Sequence, residues 1–168
     1  LERGANLSYV LSDRHKSPDG FDVHQVRCTY YDALGRNDEA YLAARAIQLF
    51  VPGIPQVYYV GLLAGRNDAK RAERTGDGRE INRHNYSLEE IEGAMSMDVV
   101  RRLMRLIRFR NEYEAFQGDF RVIDSPEQEL VLEWRKGSSR CVLTVDLKAW
   151  RYHVEYVYEQ GVSRLLAD

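Results

Sequence analysis

The residues best placed to hold a charged ligand lie in one short run, Gly76-Asp77-Gly78-Arg79-Glu80. Flanking glycines allow close backbone approach, and a guanidinium can clamp a carboxylate or phosphate through two parallel hydrogen bonds. Out of context the run is as readily a Gly/Asp turn with an exposed Arg. It is not a P-loop, because no Gly-Lys-Ser/Thr follows it. A second run, Phe21-Asp22-Val23-His24-Gln25-Val26, sets a carboxylate, an imidazole and an amide at one rim. His15, His24, His84 and His153 have no metal-ligand spacing, and each reads as a surface or hydrogen-bonded residue. No Ser/His/Asp or Cys/His arrangement emerges, and nothing marks two of the many carboxylates as an acid/nucleophile pair.

The elements that must position these groups fall into a sequence of steps. Leu1 to Arg36 has no sustained periodicity and carries the turn formers Ser17-Pro18-Asp19-Gly20, so it reads as a long surface loop. A short helix is expected within it at Asn6–Ser12. The apolar side chains Phe21, Val26, Tyr30 and Tyr31 favour an ordered loop, the kind that carries function. From Asn37, an N-cap followed by Asp38-Glu39, the positions Leu42, Ala43, Ala46, Ile47 and Phe50 recur at helical spacing until Pro52-Gly53. Ile54-Pro55-Gln56-Val57-Tyr58-Tyr59-Val60-Gly61 then reads as a buried strand, with Pro55 at its start. Helix, tight turn and strand together are one step of a parallel sheet. In such sheets sites sit beyond the strands' C-terminal ends, which makes the charged, Gly-rich loop Leu62 to Tyr86 a candidate.

Ser87-Leu88-Glu89-Glu90 has the form of a capping box and starts a helix through Ala94. After Ser96-Met97-Asp98 a stronger helix shows an apolar face of Val99, Leu103, Leu106, Ile107 and Phe109. Arg101, Arg102, Arg105, Arg108 and Arg110 are expected outward or sideways on it, as a solvated face. Beyond Gln117-Gly118 the period drops to two. Phe120/Val122, Leu130/Leu132/Trp134, Cys141/Leu143/Val145/Leu147 and Tyr152/Val154/Tyr156/Tyr158 predict an antiparallel sheet with one wet face, and a domain boundary near Gly118.

Composition narrows the classes. With 24 Lys+Arg against 26 Asp+Glu among 168 residues, the net charge of −2 supplies no basic excess for a nucleic-acid partner. Apolar residues at 44 % suffice for a packed core, and no apolar run approaches the about 20 residues that span a bilayer. Cys28 and Cys141 cannot form a disulfide framework, so a cytoplasmic location is expected. The chain lacks an initiator Met and is expected to begin mid-protein.

Four runs carry a family resemblance. Phe21 to Val26, Thr29-Tyr30-Tyr31-Asp32-Ala33-Leu34-Gly35, Val51 to Gly61, and Gly78-Arg79-Glu80-Ile81-Asn82-Arg83-His84 together resemble the sucrose phosphorylases of the α-amylase clan. The likeness runs in order from about Phe21 to Ala115. It implies an α/β fold, the C-terminal part of a (β/α)8 TIM barrel followed by a small antiparallel β-sheet domain. A whole barrel takes about 250 residues, so this chain would hold only its end. On that reading residues 1–36 are the active-site loop after strand seven. Residues 37–118 are helix seven, strand eight, its loop and helix eight, and residues 119–168 are the C-terminal β domain.

The resemblance implies a retaining α-glucoside phosphorylase with no organic cofactor and no metal, using inorganic phosphate as co-substrate. The nucleophile Asp, the acid/base Glu and a His-Asp motif would all lie upstream, so no catalytic residue is assigned here and the piece alone is expected to be inactive. Substrate-binding roles are implied for Arg79, which would pair with an upstream Asp and hold the glucosyl unit, and for Asp22, His24 and Gln25 in the acceptor-site loop. Sucrose phosphorylases usually read Leu-Tyr-Gln where this chain has Val23-His24-Gln25. His24 resembles the branch acting on sucrose 6′-phosphate, and an imidazole suits an anionic acceptor better than a phenol. Sucrose and glucosylglycerate stay open as substrates, as does a clan-related α-glucosidase activity. A rival of another class is a carbohydrate-binding or interaction module, with Tyr152/Tyr156/Tyr158 stacking on sugar rings. Expected partners are a sugar or sugar phosphate, inorganic phosphate and the missing N-terminal part of the barrel; no nucleic acid or membrane is expected, and a homodimer is left open.

Overall fold

The computed structural model describes residues 3–11, 21–158 and 161–166. The chain divides into two compact units, Leu1–Asn37 with Val57–Met95, and Asp38–Gln56 with Ser96–Asp168. This division does not fall at Gly118, because residues 38–56 and 96–117, which precede it, group with the C-terminal sheet.

The first unit opens with a β-hairpin where a loop with a short helix is expected. Strand β1 is Asn6–Leu11 and strand β2 is Phe21–Arg27, paired antiparallel from Asn6↔Arg27 to Leu11↔Phe21. A hairpin joins residues far apart in sequence, and neither partner alternates cleanly enough to announce it. The turn formers at 17–20, and His15, lie outside the described residues. The register slips between Ser8↔Gln25 and Tyr9↔Val23, which leaves His24 as the extra residue of a β-bulge. A one-turn helix α1, Tyr30–Ala33, follows, capped by the Thr29 hydroxyl on the Asp32 amide.

The second unit begins with α2, Asp38–Phe50, as the apolar spacing predicts. Tyr41, Leu42, Ala43, Ala46 and Phe50 are fully or almost fully buried. The expected strand at Ile54–Gly61 is not formed: the run is irregular to Tyr58, and Tyr59–Leu62 turns into the short helix α3. An extended segment becomes a strand only through ladder partners, and among the described residues no parallel neighbour offers them.

The loop 62–86 contains more structure than its composition suggests. Helix α4, Ala69–Thr75, is capped by Asp68 on the Arg71 amide (3.0 Å) and closed by Gly76 at φ +68°. A 3-10 turn, Gly78–Asn82, follows, with the Asp77 carboxylate accepting from the Arg79 amide at 2.8 Å. Ile81 pins this turn inside the unit at 2 % exposure. The capping box of α5, Leu88–Ser96, is reciprocal: Ser87 N donates to Glu90 Oε2 (2.7 Å) and Glu90 N to Ser87 Oγ (3.2 Å).

Helix α6, Asp98–Glu112, packs on α2 within the second unit, and a 3-10 turn, Glu114–Gln117, leads into the sheet. Five strands form an antiparallel meander: β3 Asp119–Ile123, β4 Glu129–Lys136, β5 Ser139–Asp146, β6 Arg151–Tyr158 and β7 Gly161–Leu166. Four of them follow the period-two reading; β7 was not anticipated. The buried face carries Leu132, Trp134, Cys141, Leu143, Val145, Tyr152 and Val154. Trp134 Nε1 donates to Phe50 O (2.6 Å), and Phe116 lies edge-on to Phe50 and tilted against Trp134.

Two expectations for this unit change. Arg102 is buried rather than outward, held by a two-pronged pair with Glu39 (2.7 and 3.0 Å). Tyr152 is buried, which pushes its phenol up to about 12 even with the Arg102 guanidinium beside it, and Tyr156 packs on Phe109 and Tyr113. These two rings are therefore core, not a sugar platform. The Tyr158 side chain lies outside the described residues.

Candidate anion-binding site

In the first unit, strand β2 and the 3-10 turn bring Gln25, Arg27, Tyr58, Arg79, Asn82 and Arg83 around a cavity of about 390 Å³. Local geometry explains the convergence. Gln25 and Arg27 are two residues apart on a strand, so they share a face. Arg79 and Asn82 are three apart in a 3-10 turn, so they align along it. Arg27 Nε points to Gln25 Oε1 at 3.5 Å.

Two contacts set the hairpin against the 3-10 turn. Asn6 Nδ2 donates to Gly78 O at 2.9 Å. The Arg27 guanidinium lies directly over Gly78, in the space a Cβ there would take. Gly78 is thus a close-approach position, and its lack of a side chain is what lets Arg27 reach the cavity.

The nearby carboxylates are engaged elsewhere. Glu80 pairs with Arg71, and Asp77 caps the Arg79 amide. Asp68 and Glu90 both hold His84, at 2.9 Å on Nδ1 and 3.1 Å on Nε2. Those bonds, that to Asp68 foremost, lift the His84 imidazole above its ordinary value; the His84 bond lowers Asp68 in turn. Glu90 is lowered first by the Ser87 amide and then by His84. Tyr59 completes the loop's closure by donating to His84 O at 2.9 Å. Among the described residues, then, no carboxylate pairs with Arg27, Arg79 or Arg83. Three guanidinium groups around one cavity, with no carboxylate paired to them among the described residues, can take an anionic group, whether a ligand or a carboxylate.

Of the residues singled out in the sequence, Gln25 and Arg79 meet in this cavity. His24 is exposed at the bulge and is not among the lining residues. Asp22 occupies β2 opposite Val10, and its side chain lies outside the described residues. Arg27, Tyr58, Asn82 and Arg83 were not assigned from the sequence. The period of the 3-10 turn and the two-residue spacing of β2 would have pointed to Asn82 and Arg27 had those elements been read as such. Among the described residues, no group of three or more His, Cys, Asp or Glu could hold a metal, and no helix is long and apolar enough to cross a membrane.

The chain is 58 % identical over 161 residues to a sucrose 6(F)-phosphate phosphorylase of Thermoanaerobacterium thermosaccharolyticum, which covers 96 % of this chain and 33 % of that protein. It belongs with the sucrose phosphorylases, as their C-terminal part. A crystal structure of sucrose 6F-phosphate phosphorylase matches 98 % of the chain and 34 % of its own length, at 57 % identity and a TM-score of 0.93. A sucrose phosphorylase of Agrobacterium vitis is 56 % identical over 151 residues (83 % of this chain, 31 % of that protein). A glucosylglycerol phosphorylase of Marinobacter adhaerens is 50 % identical over 145 (86 % and 30 %). The α-amylase of H. orenii shares the fold over 72 % of the chain and 28 % of its own, with a TM-score of 0.55 and 20 % identity. No family model matches. The chain spans about a third of the length of the curated relatives it matches.

Membership explains the missing parallel sheet. This portion reproduces its counterpart in the solved relative closely, and the greater part of that chain lies outside the match. The fold is the end of a TIM barrel followed by an antiparallel sheet.

Proposed function

We propose that the whole protein is a retaining α-glucoside phosphorylase that moves a glucosyl unit from sucrose 6′-phosphate to inorganic phosphate. The observation that carries this reading is the cavity of unpaired arginines beside Gln25, within a chain most of which aligns with sucrose 6(F)-phosphate phosphorylase at 58 % identity. Both the phosphorylated leaving group and the incoming phosphate are anions that such a cavity suits.

In the proposed reaction a carboxylate attacks the anomeric carbon as a carboxylic acid protonates the departing glycosidic oxygen. A phosphate oxygen then displaces that carboxylate, giving α-glucose 1-phosphate. Both carboxyls are proposed to lie upstream of this chain, so its contribution is the pocket wall. Arg79 is proposed to hold the glucosyl unit through an upstream Asp, and Asp22, His24 and Gln25 to meet the acceptor. His24 sits on the bulge, a feature that re-aims a strand side chain, which supports an acceptor contact made when substrate is present. The enzyme is proposed to need no cofactor beyond inorganic phosphate and to work in the cytoplasm; a buried, unreactive Cys141 is compatible with that compartment.

The test is release of glucose 1-phosphate by the whole protein in phosphate buffer from sucrose 6′-phosphate, sucrose, glucosylglycerol and glucosylglycerate. The highest kcat/KM is expected on sucrose 6′-phosphate, and release of free glucose at the same rate without phosphate would reassign the protein as a hydrolase. Sucrose is the second reading, favoured by the 56 % identity to a sucrose phosphorylase. Equal kcat/KM on sucrose and its phosphate would select it. The 168 residues alone are expected to release nothing.

A further inference from the structure

A single side chain, Asn67, grips both feet of the hairpin that carries Gln25. Its Oδ1 accepts from Thr29 N at 2.7 Å, just beyond the end of β2. Its Nδ2 lies 3.2 and 3.3 Å from the carbonyls of Arg3 and Gly4, just before β1, and 3.3 Å from Cys28 Sγ. The Asn67 backbone N–H donates to Asp32 Oδ2. Asp32, only 3 % exposed, also accepts from the Thr29 hydroxyl and from Arg36 Nε. On so short an arm only a primary amide offers one acceptor and two donors, which neither Asp nor Ser can imitate. The next residue carries the connection onward. Asp68 N donates to Ile81 O at 2.7 Å, inside the 3-10 turn that holds Arg79, while the Asp68 carboxylate caps α4 and bonds His84. Asn67 and Asp68 therefore join the strand bearing Gln25 to the turn bearing Arg79, all within one unit.

We propose that Asn67 is a positioning residue for the acceptor side of the site: by clasping both feet of the hairpin, it holds Gln25 at the distance from Arg79 that the departing sugar and incoming phosphate require. The proposal rests on the phosphorylase reading above and adds the residue that sets the geometry between its two sides. Gln25 is four residues from Thr29 along the chain, so a shift at the clasp passes directly into β2. The turn bearing Arg79 keeps its own anchors at Asp68 and Ile81, so the grip on the glucosyl unit should feel the loss far less. The bond from Asn6 to Gly78 O keeps the hairpin attached when the clasp is released, so its removal loosens the hairpin rather than unfolding it.

The experiment compares the whole protein as wild type, Asn67→Ala and Asn67→Asp on two donors in phosphate buffer, sucrose 6′-phosphate and α-glucosyl fluoride. Both donors need the glucosyl pocket, but fluoride departs without any contact to an acceptor sugar. A misplacement of about 1 Å costs on the order of 100-fold, so Asn67→Ala should lower kcat/KM for sucrose 6′-phosphate ~10- to 100-fold and raise KM for inorganic phosphate ~10-fold. It should also divert glucosyl from phosphate to water, while fluoride release from glucosyl fluoride falls far less. Asn67→Asp keeps the acceptor for Thr29 N and loses both N–H donors, so it should fall between, and it carries the same test if Asn67→Ala does not fold. Hydrogen exchange of the β1 and β2 amides should quicken in the same order. A merely structural role would lower both donors by one factor, at unchanged KM for phosphate and unchanged product ratio, and that result overturns the proposal. Hairpin exchange equal to wild type in Asn67→Ala overturns it as well. If the wild type splits both donors to free glucose alone, the phosphorylase reading fails; the clasp then stands when Asn67→Ala affects the two donors unequally and falls when it affects them alike.

Discussion

The two units handle charge in opposite ways. In the helix–sheet unit, buried cations are given partners: Arg102 forks onto Glu39, and Arg45 bonds the Tyr41 hydroxyl (3.1 Å) and Gln48 (2.6 Å). Arg110 lies 4.4 Å above Phe116 and donates to Gly53 O. Among the described residues of that unit, the buried side-chain atoms left without a partner are the Nε atoms of Arg102 and Arg110. In the hairpin–loop unit three arginines border one cavity with no acid assigned to them among the described residues. A fold gains nothing from such an arrangement in itself, so it is the place where ligand chemistry is expected. Partnered, buried cations mark the helix–sheet unit, and arginines around a cavity mark the hairpin–loop unit.

Substitutions can break that contrast or sharpen it. The largest effect is expected from Leu103→Ala, a fully buried side chain, at about 3 kcal/mol of lost stability. Chemical unfolding of the whole protein measures it, and KM for any substrate should barely change. Arg79→Gln should do the reverse. Loss of one charge-assisted contact costs about 2–3 kcal/mol, or ~100-fold in kcat/KM, with the unfolding midpoint unmoved. Equal loss of stability in that variant would make Arg79 a structural residue and dissolve the comparison. Glu39→Gln leaves the buried Arg102 guanidinium with a weaker partner; because Glu39 is 44 % exposed, about 1–2 kcal/mol is expected from the same unfolding assay.

The smallest effect concerns pH. His84 ties the cap of α4 to the cap of α5 through Asp68 and Glu90. Its raised imidazole contributes stability that is complete below its ordinary 6.5 and disappears as pH climbs through the raised value. The lowered carboxyls contribute above their ordinary 3.8 and 4.5, and that part is lost as pH falls through the lowered values. These groups are partly exposed, so His84→Gln should cost at most about 1 kcal/mol. The gap in thermal midpoint between wild type and variant should narrow on the alkaline side of 6.5. A gap that widens there would show that His84 is not a charged clasp.

What could be read in advance followed local periodicity. Helices α2 and α6, the capping box at Ser87 and four of five sheet strands announce themselves because each repeats an apolar position at its own period. The hairpin did not. Its strands are separated by residues 12–20, and only their pairing makes them strands, so Asn6–Ser12 by itself reads as a short helix. Ile54–Tyr58 failed for the complementary reason: its composition is that of a buried strand, but a parallel ladder needs neighbours outside the described residues.

For the candidate site the same boundary holds. Arg79 and Gln25 are marked by motif, and each is visible without its surroundings. Arg27 and Arg83 became noticeable only when β2 was laid against the 3-10 turn, because nothing within either segment specifies their meeting. Sequence alone determined the kinship, the apolar faces and the motifs that mark Gln25 and Arg79, since those properties reside in single side chains and their spacing. Only tertiary structure decided that Arg102 is buried with Glu39, that His24 occupies a bulge, and that three guanidinium groups share one cavity. Those facts depend on which distant backbone lies opposite, and a linear pattern carries no information about that.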